Sequence, residues 1–247
     1  MVKTRLSLQK KRKFDQKRFW QSFGIFTIAA ILIAAIFIVL NFQKLQGDAA
    51  HNVQEAALHV NNAKQKHKPS FNYGAVKPVS PASLANAYAH RRDYRAIGQV
   101  AIPKWNIDMN IYQGVGNVEL NLGAGTMTPN QMMGVGNYCL AAHNMDDGVT
   151  YFSPLYSAKV RGWLGSDTTI MLTDYKKVYY YKVTQSTFIT RYRTDLLQDK
   201  AEYLNKPVVS LFTCDATGAG RLFVRGKLTG YQSLKSASQY VQKAFLS

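Results

Sequence analysis

The sequence has few cysteines and few acidic residues. Its 247 residues include two cysteines, Cys139 and Cys214, which excludes a disulfide scaffold and any zinc module built from clustered cysteines. Fourteen Asp and Glu stand against 31 Lys and Arg, so the formal net charge is +17. Hydrophobic residues make up 47% of the chain, an ordinary globular share that excludes bulk disorder. The basic excess therefore belongs to a folded protein and needs a local explanation.

Charge is missing altogether from residues 19–43. This stretch contains the apolar run FGIFTIAAILIAAIFIVL (23–40), and about 20 residues at ~1.5 Å each span a hydrocarbon core of ~30 Å. Eight Lys or Arg and one acid precede it in residues 1–18, whereas Lys44 is the only basic residue that follows before Lys64. The positive-inside rule therefore predicts a single-pass protein of the cell membrane, with a cytoplasmic N-terminus and an extracellular C-terminal part.

A cleaved signal peptide is the alternative. Its apolar region is about 7–15 residues long and precedes a small-x-small cleavage site. Gly47-Asp48-Ala49 would pass as such a site, but the apolar run is too long, so we favour an uncleaved anchor. We expect the basic tail to meet anionic membrane lipids and the basic extracellular part to face an anionic cell envelope. We expect no nucleic-acid partner, because the sequence shows no aromatic-basic motif for RNA or DNA.

The chain divides into four predicted segments. They are a cytoplasmic basic tail (1–18), a transmembrane helix (19–43), an extracellular stalk (44–80) and a catalytic domain (81–247). The stalk is rich in Ala, Asn, Gln and Lys and has few bulky apolar residues. Because the residues with candidate chemistry all lie beyond it, we expect a truncation before about Ser70 to leave a soluble, active domain.

The domain is predicted to be mostly β. From Ile97 onward, short runs of Tyr, Val, Thr and Ile alternate with Gly, Asn, Asp and Pro. Seven strands are predicted, at 98–102, 109–112, 138–143, 170–173, 178–189, 208–214 and 222–231. So many short strands within one domain indicate a closed or nearly closed β-barrel.

Cys214 is the best candidate nucleophile. It ends the strand-like run VVSLFTC and precedes the turn-rich stretch DATGAG, which places a thiol at a strand end beside a loop. Cys139 lies inside a predicted strand, where a cysteine is usually a small buried hydrophobe. A structural role for Cys214 is the alternative that the sequence leaves open.

A thiol nucleophile needs a proton partner and a group that stabilises the oxyanion. His143 ends a predicted strand and opens a loop, whereas the other four histidines lie in the stalk or on a basic helix end. Arg221 begins the strand after Cys214, so the short connecting loop should bring it beside the thiol. Arg225 shares that strand face but lies ~13 Å further along, at ~3.3 Å per residue. Surface solvation is the alternative for either arginine.

Three stretches resemble signatures of the sortase family. SLFTC (210–214) resembles TLxTC, with Ser210 in place of the usual Thr, and LAAHNM (140–145) resembles the segment with the family's histidine. RLFVRG (221–226) resembles the strand with its essential arginine. The likeness extends over about residues 80–231. An N-terminal anchor, with no second span and no Asp-Pro lid, is similar to the class A, housekeeping type.

The resemblance implies a fold and an activity. The fold is an eight-stranded β-barrel with short helices, preceded by an N-terminal transmembrane helix. The activity is that of a cysteine transpeptidase that cleaves an LPxTG-type sorting signal between Thr and Gly. The partners are surface proteins with that signal and the amine of a lipid-linked peptidoglycan precursor.

The resemblance also implies roles for particular residues. Cys214 is the nucleophile, His143 the general acid and base, and Arg221 the stabiliser of oxyanion and substrate. Ala141 and Thr213 are expected to line the cleft, because the family uses the corresponding positions in this way. The stretch 189–205 is expected to be a loop and short helix that covers the Leu-Pro end. Leu196 and Leu197 are expected to form the pocket there, with Leu204 as a third candidate, although all three would also suit simple packing of the short helix.

No cofactor and no metal are expected. Some class A members bind calcium through acids before the histidine strand, but Glu119 is the only acid between Asp108 and Asp146. Calcium takes 6–8 oxygen ligands, several of them carboxylates, so we predict no calcium requirement. Two other functions stay open, namely an envelope cysteine endopeptidase that only hydrolyses and a non-catalytic wall-binding protein.

Overall fold

The computed structural model describes residues 16–60 and 62–246, so most of the predicted basic tail lies outside the described residues. The helices in those ranges are α1 (Gln16–Leu58), α2 (Pro81–His90), α3 (Asn117–Leu122), α4 (Ser153–Val160), α5 (Ala201–Asn205) and α6 (Gln239–Leu246). The strands are β1 (Gly98–Ile102), β2 (Ile107–Tyr112), β3 (Ala124–Thr126), β4 (Asn137–Ala141), β5 (Thr169–Thr173), β6 (Lys177–Thr190), β7 (Val208–Cys214) and β8 (Gly220–Ser233).

The eight strands found in the described ranges close into a barrel. Their order around it is β1-β2-β3-β4-β7-β8-β6-β5. The pairs β2–β3 and β4–β7 are parallel, and the other six are antiparallel. This confirms the prediction of a mostly β, eight-stranded barrel with short helices. Seven of the strands were predicted, and the three-residue strand β3 was missed.

The strands that carry the candidate site are buried. β7 is buried from Val208 to Thr213, as expected for a continuous run of apolar and small residues in the middle of a sheet. Leu140 of β4 and Leu211 of β7 pair in register and belong to the main apolar core. Because both strands are fixed along their length, their carboxyl ends hold the following residues in defined places.

Helix α1 contains the long apolar run. Its section Phe23–Leu58 is long and apolar enough to cross a membrane, with a mean hydropathy of 3.0 in its most apolar window. Side chains along this run are exposed, for example Val39 and Leu40, which is the arrangement that lipid contact requires. The helix is consistent with a single-pass membrane anchor.

The last turns of α1 pack onto the barrel. Residues Gln43–Ser247 form one compact unit, and within it Ala50, Val53 and Ala57 are buried in the main core. Their spacing of three and four residues puts them on one helix face. The buried Asn110 of β2 donates from Nδ2 to the carbonyl of Ala57 at 2.9 Å. Part of the segment predicted as a stalk therefore belongs to the folded unit, while the boundaries at 44 and 80 stay predictions.

This packing changes what we expect of truncated proteins. A chain that begins near Ser70 loses Ala50, Val53 and Ala57 of α1, whereas one that begins near Gln43 keeps them. Removing that apolar contact and its hydrogen bond should lower the free energy of unfolding by about 2–5 kcal/mol. Urea unfolding of the two proteins would measure the difference. Equal midpoints and slopes would show that the end of α1 adds no stability.

Candidate active site

Cys214 and Arg221 face each other across two strands. They are directly opposite in the antiparallel pairing of β7 with β8, where Cβ atoms lie about 4.5–5.5 Å apart. The loop between them is closed by Asp215, whose N–H donates to Gly220 O at 3.2 Å and whose Oδ2 accepts from Gly220 N at 2.9 Å. The thiol and the guanidinium therefore sit at one end of the barrel, as the sequence predicted.

His143 is held against β7 from both sides. The residue before it, Ala142, accepts a hydrogen bond at its carbonyl from Thr213 Oγ1 at 2.8 Å. The residue after it, Asn144, donates from Nδ2 to the carbonyl of Cys214 at 3.0 Å. The two bonds tie the backbone around the imidazole to the backbone around the thiol.

The ring of His143 is also fixed from its own loop. The ring lies edge-on to that of Tyr151, with centroids 5.5 Å apart, and the carbonyl of His143 accepts from Phe152 N at 3.0 Å. Tyr151 is anchored in turn, because its hydroxyl donates to the carbonyl of Asn121 at 2.8 Å. Packing against the anchored ring of Tyr151 therefore holds the imidazole in place.

The three candidate groups line one cleft with a volume of about 110 Å³. We call it the active-site cleft; its walls also include three of the residues expected to bind substrate, Ala141, Thr213 and Leu197. Leu196 is half-buried against the apolar cluster beside the cleft, and Leu204 is exposed. Neither is one of the described residues that line the cleft. The roles of all these residues stay predictions.

Several cleft residues were not found from the sequence. Tyr73 and Val76 come from the segment assigned to the stalk, which is pinned here by Val115 N donating to Ser70 O at 2.7 Å and Lys77 N donating to Asn117 Oδ1 at 2.8 Å. The stretch 189–205, which was expected to cover the substrate, contributes Ile189, Thr190, Arg191, Arg193 and Thr194, whereas Val115, Leu120, Met127 and Phe212 were not expected. No local motif marks them, because they meet only when the barrel closes.

Burial disfavours the charged forms of both Cys214 and His143. It raises the pKa of the Cys214 thiol, although the nearby Arg221 partly offsets this and Asp215 adds to it. His143 is only 8% exposed, and burial lowers its pKa to about 4. In the unliganded protein at neutral pH, the neutral thiol and neutral imidazole therefore predominate over the thiolate–imidazolium pair.

This electrostatic state has a testable pH dependence. The rate at which iodoacetamide alkylates Cys214 should keep rising as the pH increases from 6 through 9, because only the thiolate reacts and its pKa is raised. The measurement is made on a Cys139→Ala variant, in which Cys214 is the remaining thiol. A rate that levels off below pH 7 would mean that the thiolate predominates in the resting protein.

Metal ligands are not clustered in the part of the chain that the structure describes. No three His, Cys, Asp or Glu side chains lie close enough there to hold an ion. Independence from calcium stays a prediction, which an activity measurement across a calcium titration would test.

A thiol, an imidazole and a guanidinium in one cleft are the groups of a cysteine acyl-transfer enzyme. The family model of the sortase domain matches residues 100–229. The chain is 30% identical over 230 residues to Sortase A of Streptococcus agalactiae serotype III (strain NEM316), covering 88% of this chain and 89% of that relative. It is 27% identical over 191 residues to Sortase A of Listeria monocytogenes serovar 1/2a (strain ATCC BAA-679 / EGD-e), covering 77% of this chain and 81% of that one.

A solved structure agrees with these matches. That of Listeria monocytogenes sortase A aligns with a TM-score of 0.53 at 26% identity, covering 62% of this chain and 98% of that one. The chain belongs to the sortase family, and its relatives place it with class A. It is a cysteine transpeptidase of the cell-wall sorting type.

Proposed function

We propose that this protein is a membrane-anchored sortase that cleaves an LPxTG-type sorting signal between Thr and Gly. It then transfers the surface protein to an amine of a lipid-linked peptidoglycan precursor. The observation that carries the proposal is the convergence of Cys214, His143 and Arg221 on one cleft.

The first half-reaction forms a thioester. When the peptide binds, the Cys214 thiol gives its proton to His143, and the resulting thiolate attacks the Thr carbonyl carbon. The carbonyl oxygen becomes an oxyanion that accepts hydrogen bonds from Arg221. As the tetrahedral intermediate collapses, the C–N bond to Gly breaks and His143 gives its proton to the departing amine. The surface protein stays attached to sulfur, and the imidazole is left neutral.

The second half-reaction returns the enzyme to its starting state. The incoming amine attacks the thioester carbonyl while neutral His143 accepts one of its protons. The C–S bond then breaks, and the thiolate leaves from the same position beside Arg221. Each proton that His143 gives in the first step is thus regained in the second.

Substrate binding provides the charge stabilisation that the resting cleft lacks. An extended peptide over the cleft brings backbone amide dipoles to Cys214 and excludes water, which strengthens the attraction between thiolate, imidazolium and guanidinium. Arg221 donates from Nη1 to the carbonyls of Gly218 at 3.0 Å and Gly220 at 2.7 Å, so its own loop already orients it. The fork geometry of a guanidinium leaves further donors for the substrate.

The anchor suits a reaction whose substrates are tied to a membrane. We propose a cytoplasmic N-terminus and an extracellular catalytic domain, following the charge asymmetry around the apolar run. A sorting signal that emerges from the membrane and a lipid-linked acceptor would both be confined to the same surface. Confinement raises their effective concentration without further contacts.

One experiment separates this function from hydrolysis. The protein beginning near Gln43 is mixed with an LPxTG-containing peptide, with and without an amine acceptor, and the products are analysed by mass. A transpeptidase gives a peptide joined to the acceptor through Thr, whereas an endopeptidase gives a Thr carboxylate even with the acceptor in excess. Intact peptide under all conditions would favour a non-catalytic protein.

A further inference from the structure

The loop between β6 and β7 (residues 191–207), called the β6–β7 loop here, forms one wall of the active-site cleft. Within this loop, the buried Leu197 packs in an apolar cluster with Phe212 and Phe223 and lines the cleft. A short 3₁₀ helix, Thr194–Leu197, carries this side chain. Such a short helix is not stable by itself, so other groups must hold the wall in place.

Arg225 of β8 is the first of those groups. Its Nη2 donates to the carbonyl of Leu196 at 3.2 Å, and its Nη1 donates to the hydroxyl of Tyr203 at 2.7 Å. The guanidinium also lies over the rings of Tyr203 and Phe223, at 5.2 and 4.8 Å from the centroids. One side chain of the barrel thus holds the β6–β7 loop at two points, Leu196 in the 3₁₀ helix and Tyr203 in α5.

Ser210 and Asn137 complete the attachment from the barrel side. Ser210 Oγ, fully buried, accepts from Nε and Nη2 of Arg225 at 3.2 Å each and donates to Asn137 Oδ1 at 2.7 Å. Asn137 Nδ2 then donates to the carbonyl of Leu196 at 2.9 Å and to that of Gln198 at 3.3 Å. The carbonyl of Leu196 therefore receives bonds from both ends of a three-residue network.

The network of Arg225, Ser210 and Asn137 lies at a different level of the strands from Cys214 and Arg221. Arg225 pairs with Ser210 in the β7–β8 register, and this pair lies four residues along the two strands from the pair of Arg221 and Cys214. At ~3.3 Å per residue that is ~13 Å from the thiol. Its donors are also engaged with the β6–β7 loop and β7, so Arg225 has no part in stabilising the oxyanion.

We propose that Asn137, Ser210 and Arg225 are positioning residues that fix the Leu197 wall and thereby set the selectivity for the first, apolar residue of the sorting signal. This rests on the proposed function. A wall held by a satisfied buried network presents a pocket of constant size, and a pocket of fixed size distinguishes side chains by their volume. If one of the three residues is replaced, the wall can move, and the preference for leucine over a smaller side chain at the first position of the signal decreases.

Selectivity gives the first test. The kcat/KM ratio is measured for two signal peptides, with Leu or Ala at the first position. A single methylene in an apolar pocket changes kcat/KM by about 10–200-fold, and Leu has three more carbons than Ala, so the intact pocket should favour Leu by at least about 100-fold. Ser210→Ala and Arg225→Lys should lower this preference by about tenfold, mainly through KM for the Leu peptide. Ser210→Thr keeps the hydroxyl and should keep the preference, as should Ser233→Ala, a matched loss of a hydroxyl at the exposed end of β8.

Cys139 gives a second test that needs no catalysis. Its thiol is fully buried, with Sγ 3.6 Å from the carbonyl of Asn137 and 3.8 Å from that of Leu197, and burial raises its pKa to about 12. In a Cys214→Ala background it is the remaining thiol of the chain. Ser210→Ala and Arg225→Lys should speed its alkylation at pH 8 about tenfold, because labelling then follows opening of the loop. Ser210→Thr should not.

The two tests distinguish a failure of this inference from a failure of the proposed function. If neither peptide reacts with the unmodified protein but labelling changes as expected, the network holds the loop and the assigned substrate is wrong. If the unmodified protein prefers Leu and Ser210→Ala keeps both that preference and a slow labelling rate, the positioning role is wrong. Faster labelling with an unchanged Leu preference would also overturn the proposal, because the wall would then have no part in selection.

Discussion

Replacing Cys214 with alanine is expected to abolish transpeptidation, lowering kcat by at least about 10⁴-fold. A covalent mechanism has no route without its nucleophile, and loss of such a residue commonly costs 10⁴–10⁶-fold. The assay is mass-resolved product formation from an LPxTG peptide and an amine acceptor. The barrel should unfold at nearly the same urea concentration, because Cys214 lies at a strand end and is only partly buried.

Cys139→Ala is the matched control for that variant. It removes the same group from the neighbouring strand, in a place where burial keeps the thiol protonated and away from the cleft. Its kcat should stay within about tenfold of the unmodified protein, with some loss of stability from a smaller buried side chain. Full activity of Cys214→Ala, or a larger loss in Cys139→Ala, would remove the basis of the mechanism.

Replacing Arg221 with alanine is expected to have the second largest effect. Removing one preorganised oxyanion donor commonly lowers kcat by about 10²–10³-fold, and a guanidinium provides more than one. Arg221→Lys restores the charge but not the planar fork, so it should recover only part of the rate. Steady-state kinetics with a single peptide and acceptor would measure both.

Arg225 provides the comparison for Arg221. It has the same charge on the same strand face, but its bonds go to Ser210, Tyr203 and Leu196. Arg225→Lys should therefore raise KM and leave kcat within about tenfold. Equal losses of kcat in the two variants would contradict the assignment of Arg221 to the reacting carbonyl.

The positions of the candidate catalytic groups were predictable because each lies next to a strong local signal. Cys214 ends a continuous apolar run and Arg221 follows it after a loop of turn residues, so antiparallel pairing had to bring the two together. The same reasoning placed His143 at the end of the strand that corresponds to β4. Strand ends can be predicted from a sequence when the strands are long and apolar and are bounded by turn residues.

The missed parts depend on contacts between distant segments. Strand β3 reads Ala-Gly-Thr, which has little strand preference of its own and becomes a strand by pairing with β2 and β4. The segment that contains Tyr73 is held at the cleft by two bonds, from Ser70 to Val115 and from Lys77 to Asn117, each between residues at least 40 positions apart in the chain. The apolar residues by which α1 packs on the barrel are Ala50, Val53 and Ala57, whose small size gives a weak apolar signal.

Three leucines of the β6–β7 loop also show that burial set by distant contacts cannot be predicted from local sequence. Leu196, Leu197 and Leu204 look alike in the sequence, yet the first is half-buried, the second lines the cleft and the third is 67% exposed. The network of Arg225, Ser210 and Asn137 decides which of them turns inward, and those residues come from three separate strands. Neither periodicity nor motif spacing encodes such an arrangement.

The most direct test of the account is to trap the acyl-enzyme. The protein beginning near Gln43 is mixed with an LPxTG peptide without acceptor, quenched in acid and digested, and the modified residue is located by mass spectrometry. The account predicts a thioester between the Thr carbonyl and Cys214 that disappears when an amine is added. An acyl group on any other residue, or rapid turnover with no acyl-enzyme in the presence of an intact Cys214, would contradict it.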